Sequence, residues 1–192
     1  MDNFKKYIQR NAHLSEEEFR LLMENIGINK VLKGSYIQRP GEFCRHSFFV
    51  ERGLLRSYTI DKMGKEHIIQ FGSENWIVTD RSSVLFNEPS ELYIDAIEDT
   101  SYIALDSSFM KKAGQMSAAF QTFTERALHN HIRHQQKRIN LLLSAPAEER
   151  YLNFIQLYPD VTQRVPQWMI ASYLGITPES LSRVRKELVQ KD

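Results

Sequence analysis

A single cysteine, Cys44, stands in 192 residues. One thiol cannot close a disulfide within its own chain, and it supports neither a cysteine-ligated iron–sulfur cluster nor a structural zinc site. Long apolar runs are absent as well. No stretch approaches the ~20 residues of a membrane-spanning helix, and the start, Met1-Asp2-Asn3-Phe4-Lys5-Lys6, has no signal-peptide core. Both absences point to the cytoplasm and away from the membrane. An excess of one charge is lacking too: 25 Lys and Arg face 24 Asp and Glu, and the net +1 names no partner. No Ser-His-Asp set, paired carboxylates or Walker-type loop stands out, so no catalytic residue is assigned and the chain does not read as an enzyme.

What is present is an ordinary globular composition, 42% hydrophobic, enough for one large domain or two small ones. The charge is uneven. Lys111, Lys112, Arg126, Arg133, Lys137 and Arg138 face only Glu125 between positions 111 and 138, and Arg183, Arg185, Lys186 and Lys191 crowd the C-terminus. Local basic surface matters more for nucleic acid than the overall sum.

The chain opens with a helix whose N-cap is Ser15. Glu18 completes a capping box, Leu14 and Phe19 form a staple, and Phe19, Leu22, Met23 and Ile26 give one apolar face. From Lys30 to Asp106 short strands alternate with turns. Phe48-Phe49-Val50 stops near Gly53. Leu54, Arg56, Tyr58 and Ile60 share a face, and Asp61-Lys62-Met63-Gly64 turns the chain back into His67–Phe71. Tyr93–Ile97 and Ser101–Leu105 are expected to pair across Glu98-Asp99-Thr100. So many short strands imply a barrel, sandwich or roll.

Residues 107–143 read as helix, with breaks near Gly114 and Ser117. Leu128, Ile132, Gln135, Ile139 and Leu142 recur at alternating steps of four and three, a heptad seam long enough to pair with a copy of itself. The same face could instead pack only on its own roll. His129, His131 and His134 lie along this stretch without neighbouring carboxylates, which fits a solvated polar face and no metal site. Ser144-Ala145-Pro146-Ala147 is a hinge, and a helix over 148–157 ends at Tyr158-Pro159-Asp160.

Pro166 to Lys186 has helix-turn-helix spacing. Gly175 sits where the chain must take a left-handed conformation. Thr177 can cap the second helix, Pro178 fits its first turn, and Glu179 suits its positive end. Small Ala171 allows close approach, and Ile170, Leu174, Leu181 and Val184 form the core between the helices. The outer face then carries Glu179, Ser182, Arg183 and Lys186, residues suited to reading bases in a major groove. An ordinary helical corner with a solvated face is the alternative for this segment alone.

The order of parts (helix, roll, long helix, hinge, helix-turn-helix) resembles the Crp/Fnr family of bacterial transcription regulators over nearly the whole chain. The resemblance is carried by Gly41-Glu42, Phe48-Phe49-Val50-Glu51-Arg52-Gly53, Gly64-Lys65-Glu66 and Pro178-Glu179-Ser180-Leu181-Ser182-Arg183. Phe71 to Trp76, followed by Pro89-Ser90, resembles a branch common in Bacteroidetes-type bacteria. It implies an α+β fold: an N-terminal β-roll like a cyclic-nucleotide-binding jelly roll, with flanking helices, over 1–143, including a dimerisation helix from roughly 115 to 143, and a helix-turn-helix DNA-binding domain over 147–192. It also implies a homodimer reading a palindrome in double-stranded DNA, with RNA polymerase as a further partner and a small-molecule effector in the roll. Arg183 would hold a guanine edge, Glu179 a cytosine amino group, Ser180 and Ser182 bases or phosphate, and Thr177 and Lys186 phosphate. Glu179, Ser182 and Arg183 together resemble the Fnr branch, which implies a TTGA-like half-site.

Two departures from the family pattern matter. Cyclic-nucleotide-binding members carry a Gly-Glu pair and then an arginine for the cyclic phosphate. Here the segments read Ile77-Val78-Thr79-Asp80 and Pro89-Ser90-Glu91-Leu92-Tyr93, with Ser90 where the arginine would fall. Cyclic AMP is therefore not expected in the usual mode, and no cofactor is assigned. An intact site would need Arg81 or the partner's Arg133. The effector pocket is expected around Trp76, Asp80, Arg81, Ser90, Tyr93, Leu128 and Ile132. The chain also stops at Asp192 with no β-wing after the second helix. A competing reading is a ligand-binding signalling module whose helix-turn-helix contacts protein.

Overall fold

The computed structural model describes residues 1–190 and divides them into two compact units, one of residues 1–59 and 70–128, the other of residues 60–69 and 129–190. The first begins with α1 (Asp2–Ala12) and α2 (Glu16–Leu22). It continues through β1 (Asn29–Val31), β2 (Tyr36–Gln38), β3 (Ser47–Arg52), β4 (Leu55–Ile60), β5 (Glu66–Gly72) and β6 (Ile77–Val78). After α3 (Arg81–Phe86) come β7 (Tyr93–Ala96), β8 (Thr100–Leu105), α4 (Ser107–Met116) and α5 (Ala118–Ser144). The tip of the β4–β5 hairpin and the later part of α5 fall in the second unit, with α6 (Ala147–Leu157), a 3-10 turn (Val161–Gln163), α7 (Gln167–Leu174) and α8 (Pro178–Val189).

The strands form two four-stranded sheets, ordered β1-β8-β3-β6 and β2-β7-β4-β5. Residues 93–96 and 100–105 are therefore not partners, contrary to the hairpin expected from their spacing. β7 pairs with β2 and β4, while β8 pairs with β1 and β3. Here β7 and β8 enter opposite sheets, whereas β4 and β5 stay together in one, and strand spacing carries no record of which course a pair takes. Phe48, Val50, Leu55, Val78, Ile94 and Ala96 are buried together in one cluster. Gly53 makes the corner before β4 with φ +104, and any Cβ there would collide with Thr100. The Thr100 hydroxyl accepts from the Leu54 amide at 3.0 Å.

The capping box is present: Ser15 accepts from Glu18 N–H at 3.2 Å, and Glu18 accepts from Ser15 N–H at 2.8 Å. A helix the sequence did not announce precedes it. α1 has no side-chain cap of its own. Its free amides at Asn3 and Phe4 instead donate to the Glu51 carboxylate on β3 at 2.8 and 3.0 Å. Phe4, Ile8 and Ala12 then bury against Phe49, Phe109 and Phe120. On the second sheet, Arg56 and Asp95 stand opposite each other and form a buried bidentate ion pair at 2.7 and 2.9 Å, with the Tyr58 hydroxyl donating to Asp95. Satisfied this fully, the charges can remain inside.

Candidate nucleic-acid interface and sensor cassette

The turn between α7 and α8 is closed by backbone alone. Gly175 has φ 67, Gly175 N–H donates to Ser172 O at 3.1 Å, and Ile176 N–H donates to Ala171 O at 3.0 Å. These two bonds are a Schellman closure, which needs a left-handed residue at the turn. Thr177 Oγ1 then accepts from Ser180 N–H at 3.2 Å and starts α8, with Pro178 in its first turn. Ile170, Ala171, Leu174, Leu181 and Val184 are buried beneath the turn. Phe154, Tyr158 and Tyr173 extend this core as a ring cluster with centroids 5.3 to 5.6 Å apart.

The remaining carbonyls at the end of α7 are taken by arginines. Arg150 donates to Leu174 O at 3.1 Å and to Ala145 O at 2.9 Å, tying the hinge to the turn. Arg138 donates to Tyr173 O at 3.3 Å and lies over that ring, 4.0 Å from its centroid. Cations at a helix C-terminus also meet the negative end of its dipole. Burial pushes the Tyr173 phenol pKa up.

With its apolar side used in this way, α8 turns Glu179, Ser182, Arg183 and Lys186 outward, all exposed on one face at helical spacing. Among the described residues no carboxylate pairs with Arg183 or Lys186. The helix-start amide, followed by the Thr177 hydroxyl, holds the Glu179 carboxyl below the usual range, so it is an ionised acceptor at neutral pH. Thr177 is exposed and Ser180 half-buried, their hydroxyls 3.2 Å apart. Lys191 lies outside the described residues.

In the roll, Asp80 caps α3 by accepting from Ser83 N–H at 3.3 Å. Ser90 is buried. Its hydroxyl donates to Asp80 Oδ2 at 2.7 Å and accepts from Leu92 N–H at 3.1 Å. Its backbone pairs both ways with the 41–42 turn: Gly41 N–H to Ser90 O and Ser90 N–H to Glu42 O, each 2.8 Å. Arg81 follows Asp80, half-buried, with its Nε among the buried atoms that find no partner; burial lowers its pKa.

A model of the cyclic nucleotide-binding domain matches residues 28–115. The fumarate and nitrate reduction regulatory protein of Vibrio cholerae is 26% identical over 183 residues, covering 89% of this chain and 72% of its own length. Regulatory protein HlyX of Actinobacillus pleuropneumoniae is also 26% identical, covering 89% of this chain and 75% of its own. The structure of FixK2 from Bradyrhizobium japonicum superposes with a TM-score of 0.73 at 23% identity, over 86% of this chain and 85% of that one. Residues 28–115 thus match a cyclic nucleotide-binding domain, and over most of its length the chain is similar to regulators of the Crp/Fnr type.

The α8 residues singled out from sequence stand together on one element. Asp80, Arg81 and Ser90 also gather, around the start of α3. Trp76 is half-buried in the turn before β6. Tyr93 stacks on Tyr58 with centroids 5.1 Å apart and also meets Tyr36. Leu128 and Ile132 lie on α5, 42% and 44% exposed. Arg138, Arg150 and Ser172 escaped the sequence reading. The arginines register there only as charge, and nothing in their spacing says that they reach backbone carbonyls. Among the described residues, no three His, Cys, Asp or Glu are grouped to hold a metal ion, and no helix is long and apolar enough to cross a membrane.

Proposed function

We propose that this chain is a cytoplasmic, non-enzymatic transcription regulator that binds a palindrome in double-stranded DNA as a homodimer. The observation that carries the reading is the outer face of α8. A capped helix offers a free guanidinium, an ionised carboxylate, a serine and a lysine on one face, above a packed two-helix core. A guanidinium fork matches the two acceptors of guanine in the major groove, and a carboxylate accepts from the cytosine amino group. Thr177 and Lys186, at the margins of that face, suit phosphate contacts. RNA polymerase is the further partner this role implies.

The homodimer is supported by α5. Of its 27 residues only Phe120 is buried. Leu128, Ile132, Ile139 and Leu142 are each at least 36% exposed, in heptad register with Gln135. A second copy of the same helix would cover that seam.

In the roll, a small molecule other than cyclic AMP is the effector we favour, taken up near Asp80, Arg81 and Ser90. Ser90, where the phosphate-holding arginine would fall, is already bonded to Asp80, and a carboxylate there opposes an incoming phosphate. A neutral serine bond is worth about 0.5–1.5 kcal/mol, against about 1.5–3 for a charge-assisted one.

The test is duplex binding as a function of salt. A regulator that neutralises several phosphates loses affinity steeply as salt rises. Binding that is absent at low salt removes the DNA-reading function and leaves the helix-turn-helix as a surface for protein.

A further inference from the structure

β5 is the outer strand of its sheet, so one row of its backbone groups has no strand neighbour. Ser172, on α7, takes two of them. Its hydroxyl donates to Glu66 O at 2.8 Å and accepts from Ile68 N–H at 3.0 Å. One residue of a parallel strand would bond the same two positions. Arg138, on α5, takes the next groups, donating to Ile68 O at 2.9 Å and to Ile69 O. The same guanidinium reaches Tyr173 O, one residue beyond Ser172. The hairpin tip is itself braced, because Asp61 accepts from Met63 N–H at 2.9 Å, from Lys65 N–H at 3.0 Å and pairs with His67 Nε2 at 2.8 Å. Hairpin, seam helix and helix-turn-helix thus meet in one polar joint within the second unit.

We propose that Ser172 and Arg138 are positioning residues for DNA reading, fastening the end of α7 to the free edge of β5 so that the β4–β5 hairpin and the reading helix move as one piece. This rests on the DNA-reading function proposed above. Every bond in the joint can be exchanged for one to water, so the joint can open while the apolar core under α8 stays folded. A palindrome requires two reading helices held at a set distance. A loosened joint leaves Arg183 and Lys186 in place on α8 but lets that distance wander. Sequence preference then falls, and the number of phosphate contacts does not.

The experiment uses the full chain with Ser172→Ala, Ser172→Thr and Arg138→Gln. Hydrogen exchange at the Ile68 amide reads the joint, and exchange at Leu181 reads the fold beneath α8. Ser172→Ala should speed Ile68 exchange roughly tenfold or more, with Leu181 unchanged, and Ser172→Thr, which keeps the hydroxyl, should restore protection. On the duplex that the unaltered chain enriches from a random-sequence pool, Ser172→Ala and Arg138→Gln should lose about fivefold or more of the preference over a shuffled duplex. Their salt dependence should match the unaltered chain. If Ser172→Ala also unprotects Leu181, Arg138→Gln carries the DNA comparison. Unchanged Ile68 exchange in Ser172→Ala refutes the joint. Faster exchange with full preference refutes the positioning role. An unaltered chain that enriches no duplex removes DNA reading itself, and the exchange measurement still decides the joint.

Discussion

Gly175→Ala places a methyl group where the chain turns into α8. Gly175 has φ +67 and ψ 33, and a left-handed residue with a Cβ costs about 1–2 kcal/mol. Alanine also has less freedom to lose on folding, which returns about 0.4–1 kcal/mol. The new Cβ would stand 3.3 Å from Leu142 Cδ2 and 3.7 Å from Arg150 Nη1. Both are ends of flexible side chains, so the leucine methyl yields by a few tenths of an ångström without a large clash. The net is a loss of about 1 kcal/mol, which lowers the melting midpoint by about 2–4 °C where the chain unfolds as one and by about 4–8 °C where the smaller second unit unfolds alone. The two units can unfold in separate steps, so the second should be watched alone. Trp168 is in it and Trp76 is not, and a Trp76→Phe background makes fluorescence report that unit. Gly175→Asn is the control, since asparagine tolerates the left-handed region. An alanine variant as stable as the parent refutes the reasoning. An asparagine variant that loses as much as alanine shows that contact with Leu142, and not backbone conformation, sets the cost.

Arg183→Ala should reduce sequence preference by about 1–3 kcal/mol while phosphate-driven binding survives; equal weakening on preferred and random duplexes counts against base reading. Ile132→Asp places a charge in the exposed seam that a second copy would bury, so sedimentation should show monomer, and a dimeric variant moves the interface elsewhere. Calorimetry should find cyclic AMP and cyclic GMP weaker than micromolar; tighter binding of either would show that another residue, Arg81 first, replaces the missing arginine. The Asp61 carboxyl is held below its usual range, first by His67, then by the Lys65 amide and next by Met63. The bracing of the hairpin tip is thus complete above the ordinary carboxylate pKa and lost as pH falls through the lowered value. Protection of the Lys65 amide, taken relative to its intrinsic exchange rate at each pH, should fall only in that acid window, and a fall near neutrality would contradict the assignment.

Much of the candidate site was legible because its signals are local. A left-handed turn needs glycine, a helix start needs a side-chain acceptor, and a helix face repeats every three to four residues. Gly175, Thr177 and the set Glu179, Ser182, Arg183 and Lys186 satisfy these rules within some twelve residues of chain. The roll was legible only as a class. Alternation and turns mark its strands, but the partner of each depends on which sheet it enters, which is why 93–96 and 100–105 do not form the hairpin that their spacing suggests.

Local sequence set the capped entry to α2, the turn into α8, the exposed polar face of α8 and the heptad register of α5. Each follows from interactions between residues a few positions apart, whose geometry the chain sets before it folds. Tertiary structure decided the rest. α1 has no cap in its own sequence, and its first amides are satisfied by Glu51, about fifty residues away. Arg56 and Asp95 become an ion pair only because β4 and β7 are brought into register. Arg138, Arg150 and Ser172 acquire their roles from backbone carbonyls and an unpaired strand edge. Every residue type carries the same backbone groups, so no pattern of side chains announces where such groups will be left without partners.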